Sequence, residues 1–168
     1  IPLRLVGSEM CIRDRILVAL MIFIPSCKTN FDNPTTTAQN FIGLNEHQNR
    51  TVLKHLVGVD PVRVEWCAAF VNAILQISDI PNLYDIQTVN PLAARNFLEW
   101  GEAIKPEDIQ LGDIVIFPRG DNNWQGHVGF FVEEQEGRWV ILGGNQANSV
   151  RYDFYKPSRA LGIRRWIK

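Results

Sequence analysis

The apolar residues of this chain keep a helical spacing up to about residue 100 and an alternating spacing after it. That one change of period predicts helices first and antiparallel strands afterwards, an α+β domain. In residues 38–56, Phe41, Leu44, Val52, Leu53 and Leu56 recur at helical spacing, and Asn45 with Gln48 three residues on predicts a capped break into two short helices. Residues 66–78 predict another helix, with Phe70, Val71, Ile74, Leu75 and Ile77 on one wide apolar face. Asn90-Pro91 suits the start of a third helix, and Gly101 suits its end. Residues 113–117, 127–132, 139–142 and 161–167 then read as short strands, with a hairpin turn at 134–137.

The 168 residues suit one domain. A formal net charge of −1 lacks the basic stripe of a nucleic-acid binder. Of the three cysteines, Cys11 and Cys27 precede the expected domain and only Cys67 lies within it. An internal disulfide framework and a multi-Cys zinc site are thereby excluded, and the chemistry expected needs no cofactor or metal. A monomer is expected.

The first 27 residues read as an address. Residues 1–12 begin without Met and are expected to be translated sequencing-adapter read-through. Residues 16–25 form an apolar run after Arg13 and Arg15, as in a secretory signal, and are too short to span a bilayer well. The run ends Ile24-Pro25-Ser26-Cys27, similar to a bacterial lipobox in which Cys27 is lipidated; the alternative is a plain signal cleaved nearby. Residues 28–37 are polar and read as a tether to a domain at 38–168. That domain is mildly acidic, so membrane attachment is expected through the lipid alone, in the cell envelope.

Cys67 stands at the start of the second helix. Unpaired N–H groups and the positive end of the helix dipole there are expected to lower its pKa and to hold an oxyanion. The alternative is a small buried hydrophobe. His127 opens a strand, and Gly126 and Gly129 are expected to leave room beside it for a substrate backbone. His47 and His55 share a helix eight residues apart and read as solvated. Asn145, in Gly143-Gly144-Asn145-Gln146, ends the next strand. Antiparallel pairing brings that end beside His127, so Asn145 is the expected orienting residue and Gln146 its alternate. Glu65 adjoins the thiol and would raise its pKa unless it points away or binds a substrate amine. Trp66, Trp124 and Trp139 are candidates for a substrate groove or for the core. Substrate contacts are assigned to Glu65, Trp66, Trp124 and Gln146.

Four segments carry a resemblance: Trp66-Cys67-Ala68-Ala69-Phe70-Val71-Asn72, Gly112-Asp113-Ile114-Val115-Ile116-Phe117, Gly126-His127-Val128-Gly129-Phe130 and Leu142-Gly143-Gly144-Asn145-Gln146. They resemble the motifs of NlpC-type and CHAP peptidoglycan hydrolases, most of all a small subgroup from phage endolysins and bacterial wall proteins. The resemblance covers residues 38–168. It implies a papain-like fold, a Cys–His–polar triad mapped to Cys67, His127 and Asn145, and hydrolysis of amide bonds in peptidoglycan stem peptides through a thioester. Val62-Arg63-Val64-Glu65 departs from the polar approach expected before the nucleophile. The main rival is a catalytically inactive peptidoglycan-binding lipoprotein of the same fold. A lipid-processing acyltransferase would place its His before its Cys, and a general papain-like protease would separate the two far more widely.

Overall fold

A computed structural model describes residues 33–167. The expectations for residues 1–27, including lipidation of Cys27, lie outside them, as does the first half of the tether. Three helices come first: α1 (Pro34–Gln39), α2 (Arg50–Val57) and α3 (Cys67–Ile77). Six strands follow: β1 (Glu102–Ala103), β2 (Ile114–Pro118), β3 (Gly126–Gln135), β4 (Arg138–Gln146), β5 (Ser149–Tyr155) and β6 (Gly162–Arg165). They form one antiparallel sheet in the order β1-β6-β2-β3-β4-β5.

Every residue of α3 from Cys67 to Leu75 is buried. A helix apolar on nearly all sides must be enclosed, and α3 is, between α1, α2 and one face of the sheet. Val128, Phe130, Leu142 and Val150 meet it there. The other face carries a second core of Val115, Phe117, Phe131, Trp139, Ile141 and Ile163. Asn72, wholly buried on α3, donates to Pro91 O at 2.8 Å and accepts from Leu83 N at 2.9 Å. It ties the long 78–100 connection to the helix.

Gly144 sets how closely α3 approaches β4. A Cβ there would lie 2.6 Å from both Trp66 and Phe70, so only glycine lets the start of the helix reach the strand. Asp113, buried immediately before β2, takes both forks of Arg165 from β6, at 2.6 and 2.8 Å.

Several local expectations need correcting. The first helical region does divide in two, but Asn45 is not a helix cap. Its Oδ1 accepts from His47 N and Gln48 N in a free-standing turn, and α2 starts after Asn49. α1 begins at Pro34, capped by Asn33, inside the stretch expected to be tether. The third helix is only a 3-10 stretch, Ala94–Glu99. Asn90 accepts from Leu92 N at 3.0 Å and closes a tight turn instead of starting an α-helix. β5 had no strand signal, since Ser149–Tyr155 mixes exposed polar and aromatic residues. The hairpin at 134–137 is present: Glu136 and Gly137 both take positive φ between β3 and β4, as a two-residue turn demands.

Candidate active site

Three chain segments converge at the start of α3. Cys67 is the first residue of that helix and is 2% exposed. It also borders a pocket of about 210 Å³ lined by Glu65, Ala93, Arg119, Trp124 and Gly126 among others. The backbone N–H of Val128, next in chain to His127, acts on the sulfur together with that of Ala68.

His127 is 7% exposed. It sits opposite Phe117 on β2, and strand alternation puts its ring on the face away from α3. There it lies parallel to Tyr155, with centroids 5.7 Å apart, and Tyr155 in turn stacks on Phe117 at 4.3 Å. The link between the two is the backbone of β3: Val128, whose N–H acts on the Cys67 sulfur, directly follows His127.

The imidazole Nε2 lies 3.1 Å from Gln146 Oε1. The Gln146 amide cannot turn over, because its Nε2 donates to the carbonyls of Ile141, at 3.2 Å, and Arg151. Its Oε1 must then accept, and it also accepts from the Tyr155 hydroxyl at 3.0 Å. The ring nitrogen facing it is consequently the protonated one, and Nδ1 carries the lone pair.

Asn145 does not take the orienting role. Its φ of +57° and a register shift between Gly143 and Gln146 interrupt the alternation of β4. The side chain leaves the sheet and donates to Glu65 Oε2 at 2.5 Å, while Gln146, 3% exposed, reaches the ring. Gln146 is thus buried behind the imidazole and is not a substrate contact.

Glu65 also pairs with Arg119, so its carboxylate is shared between a guanidinium and an amide. Arg119 directly follows β2 and went unnoticed in the sequence. Antiparallel pairing signals it, since the end of β2 runs beside the start of β3 and so places Arg119 near His127. Tyr155 was missed with the rest of β5.

Burial pushes the Cys67 thiol up from its ordinary pKa, against the opposing pull of the Val128 amide, Arg119 and the Ala68 amide. The lowering expected from the helix end is therefore outweighed by desolvation. Burial also lowers His127 to about 4, more than the hydrogen bond to Gln146 raises it. At neutral pH the resting pair is a neutral thiol and a neutral imidazole.

The other candidates divide clearly. Trp66 is 0% exposed and donates to Glu46 Oε2 at 2.8 Å, and Trp139 is buried in the second core, so neither lines a groove. Trp124 is 72% exposed and does line the Cys67 pocket. Gly129 leaves no room for substrate: a Cβ there would lie 2.6 Å from Ile141 Cγ2. His47 and His55 are both exposed.

No family model and no curated protein matches this chain. Solved structures do. A NlpC/P60 family protein from Bacillus cereus superposes with a TM-score of 0.53 at 17% identity, over 82% of this chain and 40% of that one. A Staphylococcus aureus protein, described as similar to a lipoprotein of the NLP/P60 family, gives 0.52 at 16% identity, over 82% of this chain and 41% of that one. NlpC1 from Trichomonas vaginalis gives 0.50 at 17% identity, over 79% and 42%. The chain spans 40–42% of the length of these structures, and its helices packed on an antiparallel sheet are the fold they share with it.

Proposed function

We propose that the domain is a cell-wall amidohydrolase or endopeptidase that cuts amide bonds of peptidoglycan stem peptides, with Cys67 as nucleophile, His127 as base and Gln146 as the orienting residue. The observation that carries this reading is the locked Gln146 amide. It supports a proton on His127 Nε2 and a basic Nδ1, on the residue just before Val128, whose N–H acts on the Cys67 sulfur at the start of a buried helix.

The steps follow from a neutral resting pair. His127 Nδ1 takes the Cys67 proton as the sulfur attacks the carbonyl carbon. The amides at the start of α3 face the oxygen that becomes charged. Collapse of the tetrahedral intermediate breaks the C–N bond, and His127 returns its proton to the departing amine. Water, deprotonated by the same imidazole, then hydrolyses the thioester and restores the thiol. Gln146 accepts from Nε2–H throughout and keeps the ring in plane with its task. Trp124 and the Ala93–Ala94 wall of the pocket flank the bond to be cut.

Envelope location through lipidation of Cys27 belongs to the same proposal; one structural neighbour is described as similar to a lipoprotein. Purified peptidoglycan digested with the protein tests it. Mass spectrometry of the fragments should show amide cleavage by the wild type and none by Cys67→Ala. Cleavage surviving in Cys67→Ala would refute the mechanism. Binding to peptidoglycan without cleavage by the wild type would instead favour a non-catalytic wall-binding domain.

A further inference from the structure

The turn after β4 is strained on one side of the site. Asn145, Ala147 and Asn148 all have positive φ, at +57°, +48° and +63°. Asn enters that conformation more readily than other residues, whereas Ala147 holds it only where its surroundings impose it. Here the outer flank is fixed by the 44–46 segment: Glu46 N donates to Asn148 O at 2.9 Å, and Asn45 Nδ2 donates to Ser149 Oγ at 3.0 Å. On the inner flank the Asn145 side chain donates to Glu65 Oε2 at 2.5 Å, and the Gln146 amide is held by Ile141 O, Arg151 O and the Tyr155 hydroxyl. Gln146 lies between the two restraints and points under the sheet to His127.

We propose that Glu65 is the positioning residue of this site, acting through Asn145. Its carboxylate holds Asn145 in the left-handed conformation, and that conformation turns the next side chain, Gln146, inward to the imidazole. The same carboxylate anchors Arg119, which borders the Cys67 pocket beside it. One acidic group two residues before the nucleophile thus links the approach to α3, the end of β2 and the end of β4. Were the link released, Asn145 would lose its one side-chain restraint, although Asn itself tolerates positive φ. Gln146 would then be held to the ring only by its own bonds to Ile141 O, Arg151 O and the Tyr155 hydroxyl, and the loosened turn would let the imidazole proton spread between both nitrogens.

This inference rests on the catalytic reading only for its effect on rate; its structural content is independent of any activity. The test is therefore made on His127 itself. Nitrogen-15 NMR of the histidine rings in the whole protein, with only three histidines to assign, reports the tautomer directly. Wild type should show Nε2–H alone. Glu65→Ala and Asn145→Ala should both shift the His127 nitrogens toward a mixture of tautomers, with the double variant no worse than either single one. Glu65→Gln keeps an oxygen that accepts from Asn145 and should retain the wild-type signature. Retained shift dispersion elsewhere in the spectrum shows that each variant is folded. If peptidoglycan cleavage is observed, Glu65→Ala should lower kcat by about tenfold with KM little changed. Unaltered His127 shifts in both alanine variants would overturn the proposal. So would loss of the tautomer in Glu65→Gln as complete as in Glu65→Ala. Absence of cleavage by the wild type, with the tautomer responding as described, would count against the hydrolase reading and leave the positioning role supported.

Discussion

Gln146 Oε1 accepts from His127 Nε2 at 3.1 Å, and the two carbonyls held by the other end of the same amide forbid the reverse arrangement. Replacing Gln146 with Ala should lower kcat by about 10- to 100-fold while the protein stays folded, because the ring then loses its preferred tautomer. Glu in the same place keeps an acceptor and adds a charge. It should raise the His127 pKa from about 4, measurable by NMR titration.

The buried neutral imidazole predicts an acid limb in stability. The folded pKa of His127 is depressed, from 6.5 to about 4, so the unfolded chain binds the extra proton between those values. This contribution is fully present above pH 6.5 and is lost as pH falls toward about 4, to a total of roughly 3 kcal/mol at the usual 1.36 kcal/mol per pH unit. His127→Gln should flatten that limb in urea melts taken from pH 7 to pH 4. An unchanged slope would show that another group governs it.

Gly144→Ala tests how the helix start is seated. A Cβ 2.6 Å from Trp66 and Phe70 must push α3 off β4, at a cost of about 1–3 kcal/mol. Thermal unfolding should show the loss, and any peptidoglycan cleavage should fall with it because Cys67 moves with the helix.

Trp66 adjoins the nucleophile in sequence yet is enclosed. Trp66→Phe removes the donor to Glu46 Oε2 and should cost about 1–3 kcal/mol for the carboxylate left without its partner. KM should stay near the wild-type value. A large rise in KM with unchanged stability would instead mark Trp66 as a substrate contact.

The helix-then-strand order and the place of Cys67 were legible because both follow from apolar spacing, which burial enforces. The exchange of roles between Asn145 and Gln146 was not. Alternation assigns each residue of a strand to a face, and a positive φ at Asn145 breaks that rule at the position where it was needed. The state of the thiol was misjudged for a different reason. A helix terminus can be read from sequence, but the enclosure that raises the Cys67 pKa depends on β3 and β4 closing over it from more than 50 residues away. The 3-10 stretch at Ala94–Glu99 shares its apolar spacing with an α-helix, so periodicity alone could not separate them.

Proton sharing between Cys67 and His127 is the centre of the account, and the alkylation rate of Cys67 measures it most directly. Iodoacetamide labelling followed across pH, with the modified peptide located by mass spectrometry, compares the wild type with His127→Ala. The wild type should react at neutral pH at least about tenfold faster than the variant, as an assisting base implies. Its rate should fall as the imidazole is protonated near pH 4. Identical rates and identical pH profiles in the two proteins would contradict the pairing of this sulfur with this ring.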